Sequence, residues 1–129
     1  MSADQTEQRI VVADDDVLLR EGVASLLERA GFEILFHGVA IRPGKPIAVG
    51  RRNGTFWFGL PGNPVSTSVC FHVFVRAALD ALEGAEPAGP EIVSARLTRE
   101  TAKRRNREAY RDARLEIAGG EALVHPLES

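Results

Sequence analysis

The stretch "FGLPGNPVS", residues 58–66, decides how this chain is read. It joins a run of strand formers to a long apolar segment of helical spacing. A Gly- and Pro-rich turn that ends a strand and opens a helix is one way to build an anion site. First-turn amides point at the ligand, and the helix dipole favours negative charge. Gly62 lets a ligand approach the backbone closely. Pro64 suits a first helical position, where no amide is needed. Asn63 carries both a donor and an acceptor, and Ser66 and Thr67 add hydroxyls. Ligands of open α/β sheets bind at the carboxyl ends of strands, where this loop falls. The same residues would also make a well-capped strand-to-helix turn with no ligand.

Working outward, residues 47–52 and 55–60 flank Asn53-Gly54, a strong hairpin signal because both residues tolerate positive φ. Before them, "RPGKP" at 42–46 is a turn that holds Lys45 between two prolines. A fixed ammonium there suits a phosphate or other oxyanion; a solvated turn lysine is the plain alternative. After the loop, the spacing predicts a helix over 66–83. Ser68, His72, Arg76 and Asp80 form its single polar stripe, so most of it is expected to be buried. Gly84 ends it, and 84–90 has linker composition. Beyond Pro90, residues 91–99 and 108–117 alternate weakly, and Gly119-Gly120 makes a hairpin with 122–125.

Toward the N-terminus, residues 9–13, "RIVVA", suit a buried parallel strand. A helix is expected over 17–30, capped by Asp16 and ended by Gly31. Leu19, Val23, Leu26, Leu27 and Ala30 share one of its faces; Arg20, Glu21, Ser25 and Glu28 share the other. Residues 32–36 and 39–42 read as strand. The order β-α-β-β-β-α implies an α/β sheet with some parallel pairing, followed by an all-β tail.

The chain has 129 residues and a formal net charge of −2, which argues against bulk nucleic-acid or membrane affinity. No apolar run approaches the ~20 residues of a membrane span, and residues 1–10 lack a secretory h-region. The expectation is a soluble cytoplasmic chain. Its one cysteine, Cys70, permits no internal disulfide and reads as a small buried thiol. His37, His72 and His125 show no metal-ligand spacing.

"ADDD" at 13–16 puts carboxylates between a strand and a helix. Asp14 and Asp15 repel each other unless a cation lies between them, which suits Mg²⁺; a helix cap with solvated charge is the alternative. Six basic residues fall within 99–111: Arg99, Lys103, Arg104, Arg105, Arg107 and Arg111. They read as a solvated loop or as a phosphate contact.

The paired motifs PGKP (43–46) and GLPGNPVS (59–66), with a strand pair between them, closely resemble the molybdopterin molybdenumtransferase family. The resemblance covers roughly residues 35–129; the tail from Asn106 looks like the start of that family's C-terminal β-domain. It implies a partial three-layer α/β sheet of the molybdopterin-binding type with a short all-β tail. It also implies adenylylated molybdopterin and molybdate as substrates, Mg²⁺ as cofactor, and release of AMP. Pro43, Gly44, Lys45, Pro46, Pro61, Gly62, Asn63, Pro64 and Ser66 would line the site.

Residues 9–34 instead resemble the opening strand and helix of a response-regulator receiver, with Asp14 and Asp15 as its Mg²⁺ carboxylates. No Asp lies between Asp16 and Asp80, so the phosphoacceptor of that family is missing. The GGxSxG loop of the transferase family is missing as well, with Asp14–Asp16 in its place. The chain therefore reads as a chimera joined within 26–35, with a receiver-like unit (1–34), a molybdopterin-binding-like fragment (35–86) and a partial β-domain (91–129). The alternatives are a signalling module or a structural chimera without activity. Exposed strand edges in the tail offer a route to homo-oligomers.

Overall fold

The computed structural model describes residues 11–14, 17–102 and 106–127, with side chains from Glu21 onward. A four-stranded sheet forms the body, in the order β1 (Val11–Asp14), β5 (Thr55–Pro61), β4 (Ala48–Arg52), β2 (Glu33–His37). β1 runs parallel to β5, while β4 is antiparallel to both β5 and β2. The β4–β5 hairpin turns at Asn53-Gly54, with φ of 48° and 83° and with Arg52 paired to Thr55. Positive φ at both central residues is what a two-residue hairpin of matching twist requires. β2 carries a bulge at Leu35 between the paired residues Ile34 and Phe36.

The two faces of β5 do different work because side chains alternate along a strand. Phe58 and Leu60 join Ile41, Ile47, Val49, Cys70 and Val75 in the hydrophobic core, under the helix that follows β5. Trp57 and Gly59 face the other way, toward α1 (Val17–Arg29). The three-layer α/β body expected from the resemblance is thus present.

The helix after β5 is continuous over Pro64–Leu82. It comprises α2 (Pro64–Cys70), a π-helical turn (Phe71–Val75) and α3 (Arg76–Leu82). Two expectations are corrected here. The helix is not mostly buried: only Cys70 and Val75 are fully so, and Val65, Phe71 and Leu82 are exposed. Its sequence has an apolar majority, but a single sheet face covers only one stripe of a helix. In addition, this 19-residue helix is long and apolar enough to cross a membrane by length and composition, which the expectation of no such run did not allow. Its polar stripe holds together as expected, with Arg76 Nε 2.9 Å from Asp80 Oδ1. Asp80 also accepts from the Gly89 amide and so ties the linker back to the helix.

The tail is sparser than its alternation suggests. A strand across 91–99 reduces to β6 (Arg96–Leu97), and the one across 108–117 divides into β7 (Glu108–Ala109) and β8 (Ala113–Ala118). β9 (Glu121–Pro126) pairs antiparallel with β8 across Gly119-Gly120 and parallel with β6. The expected strand over 39–42 shrinks to β3 (Ile41–Arg42), which pairs parallel with β7. That short bridge, with Tyr110 packed against the core, fastens the tail to the body.

Candidate functional site

β1, β2 and β5 run in one direction, so Asp14, His37 and Pro61 end together at the carboxyl rim of the sheet. The 61–66 turn leaves from there. Pro61 is buried, Gly62 half-buried, and Asn63 and Pro64 exposed. Asn63 has extended φ and ψ (−65°, 127°) and is the N-cap of α2. Its Oδ1 accepts from the amides of Val65 (3.0 Å) and Ser66 (3.4 Å). The expectation of amides open to a ligand is corrected at these two positions, since the cap itself occupies them. With Oδ1 engaged, the asparagine's donor end, Nδ2, is what it can offer a ligand. Thr67 Oγ1 donates to the carbonyls of Asn63 and Pro61, fixing the turn from below.

The 42–46 turn lies against the same helix. Gly44, at φ 116°, packs so closely that a Cβ there would come within 2.6 Å of Cys70 Sγ and 2.9 Å of Ile41 Cδ1. The thiol in turn donates to the Gly44 carbonyl at 3.6 Å. Cys70 is completely buried, and burial pushes its pKa up to about 11. The small buried thiol read from the sequence thus seats the PGKP turn on the helix that the GNP turn begins. Lys45 is exposed, and its carbonyl accepts from the Val39 amide. Pro43 and Pro46 are half-buried.

A feature that sequence reasoning missed lies on the opposite face. α1 stands off the sheet and leaves a cavity of about 230 Å³, bordered by Ile34, His37, Pro46, Ala48, Trp57 and Gly59. The indole of Trp57 spreads over Gly50 and Gly59, where an added Cβ would sit 3.3 and 3.0 Å from the ring. Those two strand glycines beside a tryptophan were the available signal. Trp57 is 4% exposed, and its Nε1 is buried with no partner among the described residues. A buried donor left unpaired costs about 1–3 kcal/mol. The expected apolar face of α1 turns inward only in part: Val23 and Leu27 are half-buried, Leu26 is 63% exposed, and Glu21, Ser25 and Glu28 are exposed residues at the cavity's edge.

Other sequence candidates fall outside this rim. Asp15 and Asp16 lie outside the described residues, as does the side chain of Asp14, so the paired-carboxylate site and the Asp16 cap do too. Among the described residues no group of three His, Cys, Asp or Glu could hold a metal ion. Of the basic segment, Lys103, Arg104 and Arg105 lie outside the described residues. Arg99 and Arg111 bond the carbonyls of Pro126 and Ala102 and so brace the tail. His125 Nε2 lies 2.8 Å from Glu116 Oε2, at an angle that makes no hydrogen bond, and His72 packs edge-on against Phe71.

With the geometry established, comparison adds relatives. A family model described as "Probable molybdopterin binding domain" matches residues 10–81, and so spans β1, α1 and the whole 26–35 segment. A molybdopterin molybdenumtransferase of Haemophilus influenzae is 36% identical over 84 residues, covering 64% of this chain and 20% of its own length. The molybdenum cofactor synthesis protein cinnamon of Drosophila melanogaster is 45% identical over 60 residues, covering 46% and 10%. A solved molybdopterin biosynthesis protein from Pyrococcus horikosii superposes with a TM-score of 0.65 at 27% identity. That match covers 94% of this chain and 28% of the other. The chain thus spans about a fifth or less of the length of these curated relatives.

Proposed function

The chain belongs to the molybdopterin-binding-domain family of molybdenum cofactor biosynthesis, and from that premise we propose that its carboxyl rim binds adenylylated molybdopterin. The observation that carries this reading is the Gly44–Cys70 contact, which clamps the two motif turns onto one helix. Pro43 and Pro46 stiffen one turn, and Pro61 and Pro64 the other. Ordering such a rim therefore costs little entropy when the ligand arrives. Lys45 supplies a positive charge, Asn63 Nδ2 a fixed donor and Ser66 a hydroxyl, a donor set suited to the phosphate of an adenylyl group. Gly62, half-buried and without a side chain, leaves backbone room beside them.

In the finer reading, this rim serves the step in which molybdate enters the dithiolene and AMP departs. Its contribution is charge stabilisation on the leaving phosphate by Lys45 and Asn63. Asp14 and Asp15, the carboxylates proposed for Mg²⁺, lie outside the described side chains, and no step here is assigned to a metal. The receiver-like stretch at 9–34 lies almost wholly within the family match of 10–81, and β1 pairs directly with β5, which supports one continuous molybdopterin-binding segment. A small phosphodonor with magnesium is expected to leave the intact mass of the chain unchanged. In this reading the protein works in the cytoplasm and self-associates through exposed strand edges, which sedimentation would register.

Titration calorimetry with adenylylated molybdopterin tests the rim. Lys45→Ala and Asn63→Asp are each expected to weaken binding by about tenfold or more. The aspartate keeps the helix cap while exchanging a donor for a negative charge. Wild-type affinity in the folded double variant would refute the reading.

A further inference from the structure

Residues 38–47 form a loop that carries the PGKP turn, and three separate contacts hold it. At its base, the amides of Gly38 and Val39 donate to the carbonyls of Ile47 and Lys45 at 2.8 and 2.9 Å. Near its tip, the Ile47 amide donates to the Gly44 carbonyl at 3.3 Å, and Cys70 Sγ reaches the same oxygen. Along its entering limb, the carbonyls of Ala40 and Arg42 accept from the amides of Glu108 and Tyr110 at 2.9 and 2.8 Å. The first two contacts are made by the body of the molecule. The third comes from the tail.

β3 and β7 form a two-stranded sheet of their own, so the entering limb depends on this one pairing. Glu108 and Ala109 are exposed. Tyr110 is half-buried and packs its ring against the core cluster to which Ile41 of β3 belongs. Its hydroxyl donates to Glu108 Oε1 at 3.1 Å, which ties the ring to the strand beside it. Exposed ladder bonds open at little cost, so the ring is what keeps β7 seated. Lys45 follows Arg42 by one turn, and a charge serves a ligand only where its backbone is fixed. We infer that β7 and Tyr110 are a positioning strap for Lys45: by pairing with Ala40–Arg42, the tail holds the PGKP turn in the geometry that meets the ligand's phosphate. The role in binding rests on the rim reading above, whereas the strap itself rests on the backbone contacts alone. Linkage is reciprocal, so a ligand on Lys45 also favours the docked tail.

Amide hydrogen exchange in the full chain tests the strap without any ligand. The Val39 and Ile47 amides, which donate to the Lys45 and Gly44 carbonyls, report on the PGKP turn. In Tyr110→Ala they should exchange about tenfold faster or more, while the β4–β5 ladder keeps its protection. Tyr110→Phe keeps the ring and should restore the wild-type pattern. Glu108→Pro removes the donor to Ala40 with Tyr110 in place, should reproduce the Tyr110→Ala pattern, and serves if that variant does not melt cooperatively. Titration calorimetry with adenylylated molybdopterin should show binding weakened about tenfold in Tyr110→Ala and near wild type in Tyr110→Phe. Unchanged exchange at Val39 and Ile47 in Tyr110→Ala and Glu108→Pro overturns the strap. So does an equal rise at every amide, which would make Tyr110 a general core residue. A selective rise with wild-type affinity overturns the link to binding. A wild-type chain that takes up no ligand refutes the rim reading, and with it the role in binding, while the exchange pattern still decides whether the tail holds the turn.

Discussion

Residues 41–75 contain every fully buried residue among those described, whereas residues 91–127 contain none, although both segments form paired strands. β8 and β9 are joined by six register pairs and a tight glycine turn, yet every residue of β8 is exposed. β4 and β5 are joined by five pairs, and β5 is buried from Trp57 to Pro61. Ladder hydrogen bonds are therefore no measure of how well a segment is held. Net stabilisation comes from apolar area removed from water, and only the 41–75 segment has a helix laid over its sheet.

The comparison breaks most visibly at Leu60, which is 2% exposed and central to that core. Leu60→Ala is expected to destabilise the chain by about 2–5 kcal/mol, read by denaturant unfolding. A loss near zero would mean that the core does not govern the fold.

Gly44→Ala sharpens the comparison at the edge of the core. The new Cβ meets Cys70 Sγ at 2.6 Å and occupies a φ of 116° that side chains rarely adopt. A loss of about 1–3 kcal/mol is expected. Cys70→Ala removes the clash but not the backbone strain, so the double variant should recover only part of that loss.

The fold was most legible where a signal is local. Asn53-Gly54 and Gly119-Gly120 each act through two adjacent residues, and each turn formed where expected. Non-local choices were not legible. Nothing near Ile41 announces that it pairs with Glu108, and nothing in the periodicity of α1 reports that Leu26 is left outside while Val23 and Leu27 are half-buried. The rim motifs could be read, but the use of Asn63 Oδ1 as a cap could not, because competition between cap and ligand is settled only by geometry. The Trp57 cavity left only an indirect trace, Gly50 and Gly59 beneath the indole, because a gap between layers has no residue of its own.

Cys70 gives a smaller test that separates the core from the surface by pH. Burial raises its pKa from 9.0 to about 11, so the folded chain holds the thiol proton more tightly than the unfolded chain does. That contribution to stability is complete below about pH 9 and should be lost between about pH 9 and 11. Unfolding measured across this range should show a steeper decline in the wild type than in Cys70→Ala, where Tyr110, also raised by burial and by Glu108, still contributes. The native thiol should also resist alkylation at neutral pH, because the thiolate is the reactive form.

The smallest expected effect lies in the tail, where it is most informative. Ile117 is as apolar as Leu60 but 68% exposed on β8, opposite Ala122. If burial and not strand pairing sets stability, Ile117→Ser removes little area from a packed environment and should change stability by no more than about 0.5 kcal/mol. Serine has lower β-propensity than isoleucine, so any change should be a slight loss. A loss as large as that of Leu60→Ala would show that the outer face of β8 is covered in solution. The most direct cover would be another strand or a second copy at its unpaired edge. Repeating the melt over a hundredfold range of protein concentration then distinguishes the two, since only a second copy makes the midpoint depend on concentration.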